Sequence, residues 1–74
     1  MGNIVIVGYR ALIDTLSDST KVHVVTYSED SDEPITIYTG YAYRDAKNAA
    51  YRLGIDYVNY MEVLDDGTLY IEVQ

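Results

Sequence analysis

The 74-residue sequence has no cysteine, no tryptophan and no phenylalanine, and it holds one proline and one histidine. Without cysteine there are no disulfides, thiolate metal sites or cysteine nucleophiles. The lone histidine, His23, cannot by itself supply a Ser–His–Asp or His–carboxylate set, and it reads as an ordinary residue of a half-exposed strand. Positive charge is also scarce: five Lys+Arg face twelve Asp+Glu, a formal net charge of −7. That balance argues against direct binding to nucleic acid or to an anionic membrane, since both need Lys and Arg to neutralise phosphate. No segment approaches the roughly 20 apolar residues of a membrane span, and the N-terminus has no charged region followed by a long apolar run. A soluble, cytoplasmic protein is expected. Linkers, repeats and low-complexity stretches are missing too, so residues 1–74 are expected to form a single domain.

Hydrophobic residues make up 49% of the chain, enough to place it among folded globules. The unbroken apolar run Ile4-Val5-Ile6-Val7 within Asn3–Gly8 suits a short strand buried on both faces. Tyr9, Leu12, Ile13 and Leu16 recur at helical spacing and predict a short helix. Lys21–Tyr27 and Ile35–Thr39 are β-branched and aromatic, and they predict a hairpin whose loop carries Glu29, Asp30, Asp32 and Glu33. Pro34 fits the end of that loop or the first position of a strand, where no ladder donor is needed. Ala42, Ala46, Ala49, Ala50 and Leu53 form the stripe of an amphipathic helix over Tyr41–Leu53, with Gly54 as its C′ residue. Tyr57–Leu64 and Thr68–Val73 flank Asp65-Asp66-Gly67, the chemistry of a tight hairpin turn. The expected architecture is α+β in the order β-α-β-β-α-β-β: a five-stranded antiparallel or mixed sheet with one main helix packed on a face.

Strand alternation sorts the side chains between two faces. Val22, Val24, Ile35, Ile37, Met61, Val63, Leu69, Ile71 and Val73 are expected inward. The outer face is then expected to collect Tyr27, Tyr38, Tyr60, Tyr70, Glu62 and Glu72, with His23 and Val25 on the same side. Tyrosine gives a large contact area at low entropy cost, which suits docking. Tyrosine also has high β-propensity and, with no other aromatic present, must supply every aromatic core contact. Tyr43, Lys47 and Tyr51, at i, i+4 and i+8 of the main helix, form a second stripe that could contact a partner or wrap the sheet edge.

The acidity is not confined to the loop. Asp56, Glu62, Asp65, Asp66 and Glu72 lie in or beside the last two strands, and outside residues 41–54 eleven acids face two bases. Such segregation suits an electropositive partner. The acidic loop lacks the residue spacing of a calcium loop, and Asp65 and Asp66 are accounted for by their turn. Gly2 and Gly8 make no phosphate-binding pattern. No catalytic residues, metal site or cofactor is expected.

Two resemblances follow from these residues. Residues 20–39, with the loop Ser28-Glu29-Asp30-Ser31-Asp32-Glu33-Pro34, resemble the acidic hairpin of the phage uracil-DNA glycosylase inhibitors, which are small DNA mimics. The first strand, Asn3-Ile4-Val5-Ile6-Val7-Gly8, has no match to that family's Glu-Ser-Ile motif, so no inhibitory residue is carried over. In size, acidity, tyrosine content and element order the chain is similar to the phage-encoded anti-CRISPR proteins. This implies an inhibitor in the host bacterial cytoplasm whose partner is a CRISPR effector or another nucleic-acid-binding host protein. The expected contact residues are Glu29, Asp30, Asp32, Glu33, Tyr38, Tyr60, Glu62, Tyr70 and Glu72, with carboxylates standing in for phosphates. The alternative is a non-catalytic interaction module, a monomer or a homodimer, pairing through an exposed edge at Thr68–Val73. A base-stacking tyrosine face would need a basic groove beside it, and Glu62 and Glu72 stand there instead.

Overall fold

The computed structural model describes residues 7–28, 30 and 32–74. Its elements follow in the order β1 (Val7–Gly8), α1 (Tyr9–Thr15), β2 (Lys21–Tyr27), β3 (Pro34–Tyr41), α2 (Arg44–Arg52), β4 (Tyr57–Val63) and β5 (Leu69–Val73). The class is α+β, with a mixed sheet in the spatial order β1-β4-β5-β2-β3. Four strands are of ordinary length, and β1 contributes only two residues to the described ladder. Most of the apolar run expected to form the first strand lies outside the described residues.

The β2–β5 pair is parallel, with Val22 beside Leu69 and Val24 beside Ile71, and every other pairing is antiparallel. Parallel neighbours cannot be joined by a tight turn. Here β3, α2 and β4 intervene in the chain between them. The strand Leu69–Val73 is therefore internal, paired with β2 on one side and β4 on the other. This corrects the expectation of an exposed edge there, because strand order depends on contacts remote in sequence.

Both helices pack on one face of the sheet. Tyr9 and Ile13 of α1, and Ala46 and Ala50 of α2, join Ala42, Ile55, Val22, Val24, Ile71 and Val73 in one buried cluster. The core thus has two helical contributors, where one main helix was expected. Tyr9 is 0% exposed, and its hydroxyl donates to the Ala46 carbonyl at 2.7 Å, tying α1 to α2. A buried phenol without that acceptor would leave an unpaired donor, at a cost of about 1–3 kcal/mol.

The end of α2 shows how local chemistry directs packing. Gly54 has φ +69°, its N–H bonds to the Tyr51 carbonyl, and the Ile55 N–H returns to the Ala50 carbonyl. This is a Schellman arrangement, in which glycine accepts the left-handed conformation. It turns Ile55 into the core and leaves Leu53 60% exposed, so Leu53 is not the core residue its stripe suggested.

Two bulges reset the faces. Val24 pairs with Tyr38 but Val25 pairs with Thr36, so Ile37 is an extra residue in β3. Across from Val24, Tyr38 lies on the helix-covered face, contrary to the expected outward placement. A bulge shifts alternation by one residue, and nothing in Ile35-Thr36-Ile37-Tyr38 announces it. Asn59 is the extra residue in β4, since Val58 pairs with Val73 and Tyr60 with Glu72. Val58 and Met61 consequently share the helix-covered face although three positions separate them.

Candidate functional site: the open face of the sheet

The face opposite the helices is built by register. Down β2 it receives Lys21, His23, Val25 and Tyr27. Thr36 stands across from Val25 on β3, while Tyr70 and Glu72 stand beside His23 and Val25 on β5. On β4, Tyr60 opposes Glu72 and Glu62 opposes Tyr70. The central strands thereby place an aromatic and acidic group on a rigid platform.

The rings contact one another edge to face. His23 and Tyr70 have centroids 5.7 Å apart at 80°, and Tyr60 and Tyr70 are 6.4 Å apart at 69°. Such pairs favour the quadrupoles of the two rings. His23 Nε2 lies 3.0 Å from Thr36 Oγ1. Val25 is only 1% exposed although no helix among the described residues crosses this face, and its register neighbours Thr36 and Glu72 flank it. The face is thus a packed layer of polar and aromatic side chains.

Electrostatics fit that packing. Burial pushes the Tyr70 phenol up to about 12, helped by hydrogen bonds to Tyr27 and Glu72 and by the nearby Glu72 charge. The Glu62 charge, followed by burial and a hydrogen bond to Glu62, raises Tyr60 as well. Neutral phenols beside carboxylates act as donors. Four of the five basic residues (Arg10, Arg44, Lys47 and Arg52) belong to α1 and α2, whose acids are Asp14 and Asp45. The rest of the chain holds ten acids and one base, Lys21.

Of the expected contact residues, the structure brings together Tyr60, Glu62, Tyr70 and Glu72. Tyr38 is excluded from that group. It lies beside Asp45, Asn48, Ala49 and Arg52 around a depression on the helix side, and its hydroxyl donates to the Tyr41 carbonyl at 2.6 Å. Asp30, Asp32 and Glu33 are exposed in the β2–β3 loop, while Glu29 lies outside the described residues. The loop begins just past Tyr27, which pairs with Pro34, so acidic tip and aromatic platform meet at Tyr27. His23, Thr36 and Val25 are part of the platform but were not among the expected contacts. Outward alternation along β2 was the only sequence signal for His23 and Val25, and their neighbours depend on the β2–β5 register.

On the helix side, Arg10, Lys47, Asn48 and Tyr51 line a shallow depression of about 480 Å³. The Arg10 guanidinium sits 5.9 Å from the centroid of the Tyr51 ring, and Lys47 Nζ pairs with Asp14 Oδ1 at 2.5 Å. The expected stripe is split: Lys47 and Tyr51 belong here, whereas Tyr43 contacts Tyr41 at 5.8 Å. Among the described residues no three His, Asp or Glu side chains converge as a metal site requires, and no helix is long and apolar enough to cross a membrane.

Comparison with known proteins finds no matching family model, no significantly similar curated protein and no significantly similar solved structure.

Proposed function

We propose that this chain is a non-catalytic inhibitor that docks its acidic, tyrosine-bearing face and adjoining tip on a basic, nucleic-acid-binding surface of a host defence or DNA-processing protein, as DNA mimics do. The observation that carries this reading is the alternation of Tyr60, Glu62, Tyr70 and Glu72 across the β4–β5 ladder of the open face. Four of the five bases lie on the helices, Lys21 begins β2, and the two acids of the platform, Glu62 and Glu72, stand beside Tyr60 and Tyr70. Carboxylates would steer the encounter and repel nucleic acid, while exposed tyrosines such as Tyr60, 47% exposed, would supply the desolvated anchors. In the sheet β5 is paired with both β2 and β4, so a homodimer would use a different surface.

Affinity capture from a bacterial lysate, with and without excess duplex DNA, tests the proposal. The expected result is a captured nucleic-acid-binding protein that both competitor DNA and added salt release. Replacing Glu29, Asp30, Asp32 and Glu33 by serine or asparagine should weaken capture while leaving the fold intact. Capture that DNA leaves unchanged would rule out mimicry.

A further inference from the structure

The open face carries a pattern finer than its net charge. Across the β4–β5 ladder Tyr60 lies opposite Glu72, and Glu62 lies opposite Tyr70. Along each strand a tyrosine and a glutamate stand two residues apart, Tyr60 with Glu62 and Tyr70 with Glu72. Each carboxylate of this two-by-two block therefore has one phenol across the ladder and another beside it on its own strand. The two tyrosines touch along one diagonal. His23 braces the Tyr70 ring from the next strand.

We infer that the block formed by Tyr60, Glu62, Tyr70 and Glu72 selects arginine over lysine in a basic partner, an inference that rests on reading the open face as the docking surface. A guanidinium is planar and weakly hydrated. Its edge pairs with a carboxylate through two parallel hydrogen bonds while its plane stacks on a neighbouring ring. An ammonium binds a carboxylate as a strongly hydrated point charge and gains less from the ring. The block offers carboxylate and ring at adjacent positions, which is the pairing that arginine alone can use in full. The same chemistry operates within the chain on the helix side, where Arg10 lies over Tyr51. The acidic tip differs, because residues 28–33 contain carboxylates and no aromatic, so it attracts either cation alike.

The test is titration of the full chain with oligo-arginine and oligo-lysine peptides of equal length and charge, followed by amide chemical shifts at low salt. Oligo-arginine is expected to bind about tenfold tighter, with shifts concentrated on β4 and β5. Tyr60→Leu, at an exposed position, should bring the two affinities together while changing oligo-lysine binding little. Glu62→Gln is a second variant that keeps side-chain size and should also reduce the preference for arginine. Equal affinity for the two peptides on this face would overturn the arginine inference and leave the docking reading standing. Shifts confined to the tip would overturn the inference and place docking there. Failure to bind either peptide would remove both.

Discussion

The helix-covered and open faces are made by the same strands, often by adjacent residues, yet they hold together differently. Val22, Val24, Ile71 and Val73 on the covered side are nearly fully buried under α1 and α2. Among the described residues of the open side only Val25 is buried to that degree, and Thr36, Glu72, His23 and Tyr70 lie around it. Alternation supplies both faces equally, and the presence of a layer above decides which becomes core. Stability should therefore depend on one face and recognition on the other. Ile71→Ala should cost about 3 kcal/mol, a large share of the roughly 4–11 kcal/mol expected of a domain this size. Tyr60→Ala should cost less than about 1 kcal/mol while weakening binding of an arginine-rich peptide. Urea unfolding of the two variants measures the contrast, and equal losses would break it.

A smaller effect sharpens the boundary between the faces. Gly40 has φ +143°, and a Cβ there would lie 3.1 Å from the Tyr38 hydroxyl. Glycine permits both the backbone conformation and the close return of the phenol that the β3 bulge has carried to the covered side. Gly40→Ala should cost about 1–2 kcal/mol. In a Tyr38→Phe background the crowded hydroxyl is gone but the backbone strain remains, so the penalty should shrink without vanishing. A double-mutant cycle reads that coupling directly. An unchanged penalty would show that the phenol does not press on Gly40.

What could be read from the sequence divides along the same physical line. The turn at Asp65-Asp66-Gly67 was legible because its chemistry is local: the Gly67 N–H bonds to the Leu64 carbonyl, and the Thr68 N–H bonds to Asp66 Oδ1. The stop of α2 at Gly54 was legible for the same reason, and so was the outward set Tyr60, Glu62, Tyr70 and Glu72. Tyr38 was misplaced because a bulge is defined by the partner strand, and only the Val25–Thr36 pairing reveals it. The internal position of β5 was hidden because its partner β2 lies some fifty residues earlier, as the Val22–Leu69 and Thr26–Val73 pairs show. His23 looked ordinary for that reason as well. Its ring acquires neighbours from β3 and β5, and neither is adjacent in the chain.

The subtlest comparison concerns protonation on the open face. Tyr70 is shifted from 10.0 to about 12, first by burial and then by its contacts with Tyr27 and Glu72. A folded-state value above the unfolded one means that the neutral phenol stabilises the fold. That contribution is fully present below pH 10 and is lost as pH rises through about 12. Tyr70→Phe cannot titrate, while Tyr60, Tyr9 and Tyr38, raised for their own reasons, titrate in both proteins. The stability difference between wild type and Tyr70→Phe should hence be constant below pH 10 and should drift against the wild type above it. Urea midpoints across that range measure the drift, and ultraviolet absorbance of tyrosinate follows the ionisation itself. If the difference stays flat throughout, Tyr70 ionises as a free phenol would, and the open face is a solvated surface without the packed layer of rings and carboxylates that arginine selection needs.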